Sequence, residues 1–199
     1  MAIQTIMEKN RLEAFSDGVI AVIITIMVLE LHVPQGSQLS DLPPLLPKFL
    51  CYVLSFVNVG LYWNNHHHLF QAVKRVNGRI LWTNLHLLFW LSLIPLSTDW
   101  MGENHFEQTP VIFYGVILLM CGVAYYFLVN ALIDQHGKDS VLARAIGRDK
   151  KGKISVVIYA VAIGSGFVHP WIAIGLYLTV AAMWFIPDSR FENALHEKK

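Results

Sequence analysis

Charge is what this 199-residue chain has least of: Asp, Glu, Lys and Arg make up 15% of it, where soluble domains carry about 25%. Cysteine is nearly absent too. The two present, Cys51 and Cys121, each lie inside an apolar run, which excludes a disulfide framework and a thiolate metal site. Low-complexity tracts are missing. A cleaved leader is not expected, because the first apolar run carries Asp17 and Glu30 near its ends and no small-residue cleavage site follows. With a net charge of +1, the balance itself says nothing about nucleic acid, and no such partner is expected. No nucleophile–base pair or zincin-type spacing is present either, so the chain is not expected to be an enzyme.

What fills the chain instead is apolar. Hydrophobic residues reach 55%, gathered into long charge-free runs separated by short charged segments. A helix needs about 20 such residues to cross a hydrocarbon layer of roughly 30 Å. Six spans are predicted, at 14–33, 46–70, 79–98, 110–133, 153–169 and 170–187, making residues 1–199 one all-α membrane domain. Thr109-Pro110 reads as the cap and first turn of the fourth span, and His169-Pro170 breaks the long uncharged stretch that holds the last two. Fourteen of the 15 basic residues fall on one side of this arrangement and only Lys48 on the other. Basic loops mark the cytoplasmic side, so both termini are expected in the cytoplasm and the protein in the inner (plasma) membrane. The segment after the third span is acidic, with Asp99, Glu103 and Glu107, and reads as an outer loop.

Ionisable residues within spans are costly and so candidate functional groups. Asp17 on the first span, Trp63-Asn64-Asn65-His66-His67-His68 near the inner end of the second, and Trp82, Asn84 and His86 at the start of the third all fall at one depth. Asp17 can find imidazole, amide or indole donors there. The cluster fits a hydrogen-bond network locking three helices together, a protonation switch, or a metal or haem site on His66, His67 and His68. Consecutive histidines on a helix point about 100° apart, which argues against three on one metal, and no metal is assigned. On a helical wheel Phe15, Gly18, Val22, Thr25, Ile26 and Leu29 share one stripe, with Glu13, Asp17, Ile20, Ile24 and Leu31 opposite. That stripe faces either lipid or a symmetry axis.

Arg11-x-x-x-Phe15-Ser16-Asp17-Gly18-Val19, running on through Ile24-Thr25-Ile26-Met27-Val28-Leu29-Glu30, resembles the first-helix signature of the transmembrane protein 175 family. Trp63-Asn64-Asn65-His66-His67, and Trp82-x-Asn84-Leu85 through Leu93-Ile94-Pro95, are similar to the family's second and third helices. The resemblance covers at least residues 8–98. It implies a potassium-selective channel, K+ being the only ion or ligand expected and no cofactor being required. A single Phe-Ser-Asp copy implies the bacterial one-repeat type, which assembles as a homotetramer in the bilayer. In the family the first helices line the pore and bulky apolar residues constrict it, which by position gives Val22, Ile26 and Leu29, with Thr25 as a hydroxyl layer. Val22 stands where Ile or Leu is usual. Arg11 falls on the stripe side of the inner end, where it can anchor the Phe-Ser-Asp turn or meet lipid phosphate. No Thr-Val-Gly-Tyr-Gly element occurs, so no ring of backbone carbonyls replaces the hydration shell. The competing readings are a His-rich metal or haem enzyme in the membrane and a proton-coupled carrier.

Overall fold

The structure, a computed structural model, describes residues 2–137, Ser140, Leu142, Ala143 and 150–185. The described residues are helical apart from turns: α1 (Ala2–Leu29), two 3-10 turns at Leu39–Asp41 and Pro43–Leu45, α2 (Leu46–Gln71), α3 (Gly78–Ser92), α4 (Ile94–Glu103), α5 (Gln108–His136), α6 (Lys150–Gly166) and α7 (Pro170–Phe185). Four stretches are long and apolar enough to cross a membrane: Lys9–Leu29, Leu39–Gln71, Gly78–Glu103 and Gln108–His136. The α6–α7 hairpin is apolar and shorter, at 17 and 16 residues.

Local chemistry sets most helix ends. Asn77 caps α3, its side-chain oxygen accepting from the Ile80 N–H at 2.9 Å. Gly137 follows α5 with a φ of 90°, a conformation glycine adopts without strain. Pro170 opens α7 at its first turn, where a missing N–H costs nothing.

Three boundaries depart from expectation. The third span is two helices, because Pro95 has no N–H to give the Leu91 carbonyl. The Leu93 N–H turns back to Leu91 and Trp90 instead. The fourth span starts at Gln108 with Glu107 as N-cap, so Thr109 is already helical and caps nothing. The first helix ends at Leu29, short of residue 33. Residues 186–187 of the expected sixth span, and Lys138, Arg144, Arg148, Arg190, Lys198 and Lys199, lie outside the described residues.

α1 rests on α2 and α3, α5 runs between α3 and α6, and α7 closes against α6 and α5. Close approach at two glycines permits this packing. A Cβ at Gly115 would collide with the Tyr177 hydroxyl, which donates to the Val111 carbonyl at 3.1 Å. A Cβ at Gly102 would sit 2.9 Å from the Lys48 Cα, so α4 lies directly on α2 there. Cys51 and Cys121 are buried among apolar neighbours. The outside of the bundle is apolar as well, with Phe49, Leu50, Val53 and Phe56 of α2 and Trp171, Ile172 and Leu178 of α7 exposed. In water such a surface would be a liability; against lipid it is the solvated face.

Of the acidic segment, Asp99 and Glu103 are helical and only Glu107 lies in the connection to α5. Asp99 and Glu103 stand one turn apart on α4 and hold the Lys48 ammonium at 2.7 and 2.6 Å, with His32 Nδ1 at 3.2 Å. Lys48 is largely buried while its partners are partly open to solvent. The single basic residue on that side therefore ties α2 to α4.

Candidate functional site

The buried face of α1 is Leu12, Ser16, Ile20, Ile23 and Met27, spaced by three and four residues as a helical stripe must be. Ser16 is its one polar member. Its hydroxyl donates to the Leu12 carbonyl at 2.8 Å, which satisfies the proton inside the helix, and its oxygen then accepts from Asn84 Nδ2 at 2.9 Å. With the amide nitrogen committed to Ser16, the Asn84 oxygen faces His66 Nε2 at 2.8 Å, so His66 is the donor there. The His66 ring is stacked on Phe70 at 4.5 Å. All three side chains are buried. One directed chain thus joins α2, α3 and α1.

Asp17 is not part of that chain. It lies on the exposed side of α1 and accepts from the Trp63 indole N–H at 3.0 Å. Trp63 stacks on His67 at 5.7 Å, and His67 Nε2 accepts from the Gln71 amide at 2.9 Å. Asp17, His66 and His67 border a recess of about 300 Å³ together with Asn10, Glu13 and Ala14. Asp17 thus meets the indole among its expected donors, and the buried position of that turn goes to its neighbour. Burying a carboxylate costs far more than burying a hydroxyl that can bond its own helix, so Ser16 takes the inward position.

The other polar residues separate. Trp82 and Asn64 are exposed. His86 accepts from Trp90 at 2.9 Å and stacks on Phe127 of α5, so it faces away from the cluster. The three consecutive histidines diverge, and among the described residues no group of three or more His, Cys, Asp or Glu is arranged to hold a metal.

The opposite face of α1 is uncovered. Val22 is 57% exposed, Ile26 42% and Leu29 73%, in line with exposed Phe15 and Arg11. Thr25 lies on this face with its hydroxyl donating to the Ala21 carbonyl at 2.9 Å, leaving its oxygen lone pairs turned outward from the backbone bond. Sequence reasoning missed the Lys48–Asp99–Glu103 lock. The signal was there, in a lone basic residue among acidic ones on one side of the bundle.

Helices of spanning length with apolar outer surfaces place this chain among polytopic membrane proteins, and an uncovered helix face in such a bundle is where a permeation path can be built. The sequence profile of the endosomal/lysosomal potassium channel TMEM175 matches residues 11–95, from the first residue of the Arg-x-x-x-Phe-Ser-Asp motif to Pro95. A Chryseobacterium protein described as a potassium channel is 57% identical over 96% of this chain and 100% of its own length. The crystal structure of a lysosomal potassium-selective channel TMEM175 homolog from Chamaesiphon minutus superposes with a TM-score of 0.78, at 28% identity, over 92% of this chain and 98% of that one. The mouse endosomal/lysosomal proton channel TMEM175 is 35% identical over 60% of this chain, which spans only 26% of that longer protein. The chain belongs to the TMEM175 family, a family of ion channels and not of enzymes.

Proposed function

We propose that this chain forms a passive, potassium-selective channel in the plasma membrane, with four copies arranged so that their α1 helices enclose the path. The observation that carries this reading is the uncovered α1 face. One such helix per chain cannot enclose anything, so the channel is an oligomer. Residues 1–199 act as one six-span unit with both ends in the cytoplasm, in keeping with the one-sided distribution of Lys and Arg.

Val22, Ile26 and Leu29 form successive apolar rings and Thr25 a ring of hydroxyls. A ring without polar ligands acts on hydration: the larger, more weakly hydrated potassium ion sheds water more cheaply than sodium, and a dry ring also gates by dewetting. No cofactor enters this scheme. Ser16, Asn84 and His66 hold α1 at a fixed rotation from behind, while Asp17 and Trp63 clamp its inner end to α2. Arg11 and Phe15 continue the exposed face at that end, and Arg11 has no ion-pair partner among the described residues, in keeping with a place at the inner mouth of the path.

The test is flux through the purified protein in liposomes. Under a potassium gradient it is expected to pass current, with sodium permeating less. No potassium current at any potential or pH refutes the proposal. Saturating flux that requires a pH gradient would make the protein a proton-coupled carrier instead.

A further inference from the structure

A second concavity, separate from the α1 face, lies between α2, α5 and α6. It encloses about 390 Å³, within the ~300–1,000 Å³ of small-molecule sites. Its walls are apolar, from Leu61 of α2, Val123 of α5 and Val156 and Val157 of α6. Along α2 it runs from Asn65 to Asn58, seven residues or about 10 Å at 1.5 Å per residue. Two features make it more than a packing gap. Tyr62, half-buried, and Tyr159, buried, both line it, and neither hydroxyl has a hydrogen-bond partner among the described residues. Lys153 stands at its edge, exposed and with no carboxylate in ion-pair range among the described residues.

The neighbouring groups are otherwise engaged. Lys151 lies over the Trp184 ring at 5.9 Å, and Trp184 donates to Ser155, which donates to the Lys151 carbonyl. These contacts fix the start of α6 and the end of α7 as a rigid rim. An open cation at the rim, unpartnered hydroxyl donors below it and an apolar interior together match one kind of molecule.

We propose that this cavity binds an anionic phospholipid, one per protomer, with its phosphate at Lys153, its ester oxygens within reach of the tyrosine donors and an acyl segment filling the interior. Basic pockets between membrane helices recognise anionic head groups in this way. The bound lipid bridges α2 to α6. The site uses no residue of the α1 face, so its failure leaves the channel reading intact.

The experiment uses the full-length oligomer, delipidated and re-equilibrated with vesicles of equimolar phosphatidylcholine and phosphatidylglycerol, with retained lipid counted by native mass spectrometry. Phosphatidylglycerol retained in excess, one per protomer, is expected. Lys153→Gln, at an exposed position, should weaken retention about fivefold, as the loss of ~1 kcal/mol per basic residue requires. Gly122→Leu should abolish it by filling the space in front of Tyr62 and Val156. Gly122→Ala should preserve it, since that Cβ meets both at ordinary contact distances of 3.8 and 3.5 Å. Equal retention of the two lipids, or unchanged retention in Lys153→Gln, overturns the proposal. So does disulfide formation between copies of a Val157→Cys variant, which would show a second copy occupying the groove.

Discussion

Replacing Asn84 by Leu keeps a side chain of similar size while removing both of its hydrogen bonds, and the two losses are unequal. Ser16 forfeits a donor but still gives its own proton to the Leu12 carbonyl. His66 is left with a buried N–H and no acceptor. A bare buried donor costs about 1–3 kcal/mol by soluble-protein measures, whereas interhelical bonds in membranes average about 0.6 and reach about 1.7. His66 is only 2% exposed, so its share belongs near the upper membrane value and the Ser16 share near the mean. Asn84→Leu should then destabilise by about 2 kcal/mol. In a His66→Phe background, where no N–H remains to be stranded, the same change should cost only ~0.6 kcal/mol. The coupling of roughly 1.5 kcal/mol is measurable by reversible SDS unfolding in mixed micelles, as a double-mutant cycle. Additive costs, with coupling below about 0.5 kcal/mol, would refute the directed chain and with it the reason α1 holds its rotation.

Other substitutions probe other parts. Ile26→Asn or Leu29→Asn should relax potassium-over-sodium selectivity or raise conductance in the liposome assay; unchanged permeation would mean that the face meets lipid. Gly102→Ala drives a Cβ against the Lys48 backbone and should cost about 1–3 kcal/mol in the same unfolding assay, as no flexible side-chain tip can yield there. Lys48→Met strands Asp99 and Glu103 beside each other; because both are partly exposed, the loss should stay near ~1 kcal/mol and shrink at high salt. His136→Phe removes the ring nitrogen that accepts from the Lys74 and Arg75 N–H groups at 3.0 and 3.3 Å. It should speed hydrogen exchange at those two amides while leaving the α1 face unaltered.

Helix content and the depth of the polar cluster were legible in sequence because both follow from counting: run length sets spans, and topology sets which ends share a level. Rotation was not. The wheel put Asp17 opposite the apolar stripe, yet the side chain buried in that turn is the neighbouring hydroxyl, which is far cheaper to bury. His86 and Asn84 sit two residues apart on one helix, and only tertiary packing decides that Asn84 meets Ser16 while His86 bonds Trp90 on its own helix. The uncovered α1 stripe was visible from periodicity, but lipid and a pore axis give the same periodicity. The break at Pro95 was printed in the chain and obscured by the apolar residues around it.

The directed chain from His66 through Asn84 and Ser16 to the Leu12 carbonyl also bears on proton movement. A wire that relays protons needs each member to take a proton on one side and release one on the other. A carboxamide does this only by passing through a high-energy imidic acid, and a backbone carbonyl at the terminus has no proton to hand on. The chain is therefore an insulator built of hydrogen bonds. In the proposed channel a proton would therefore travel with water past the exposed carboxylate of Asp17 and along the α1 face, not through the buried network behind it.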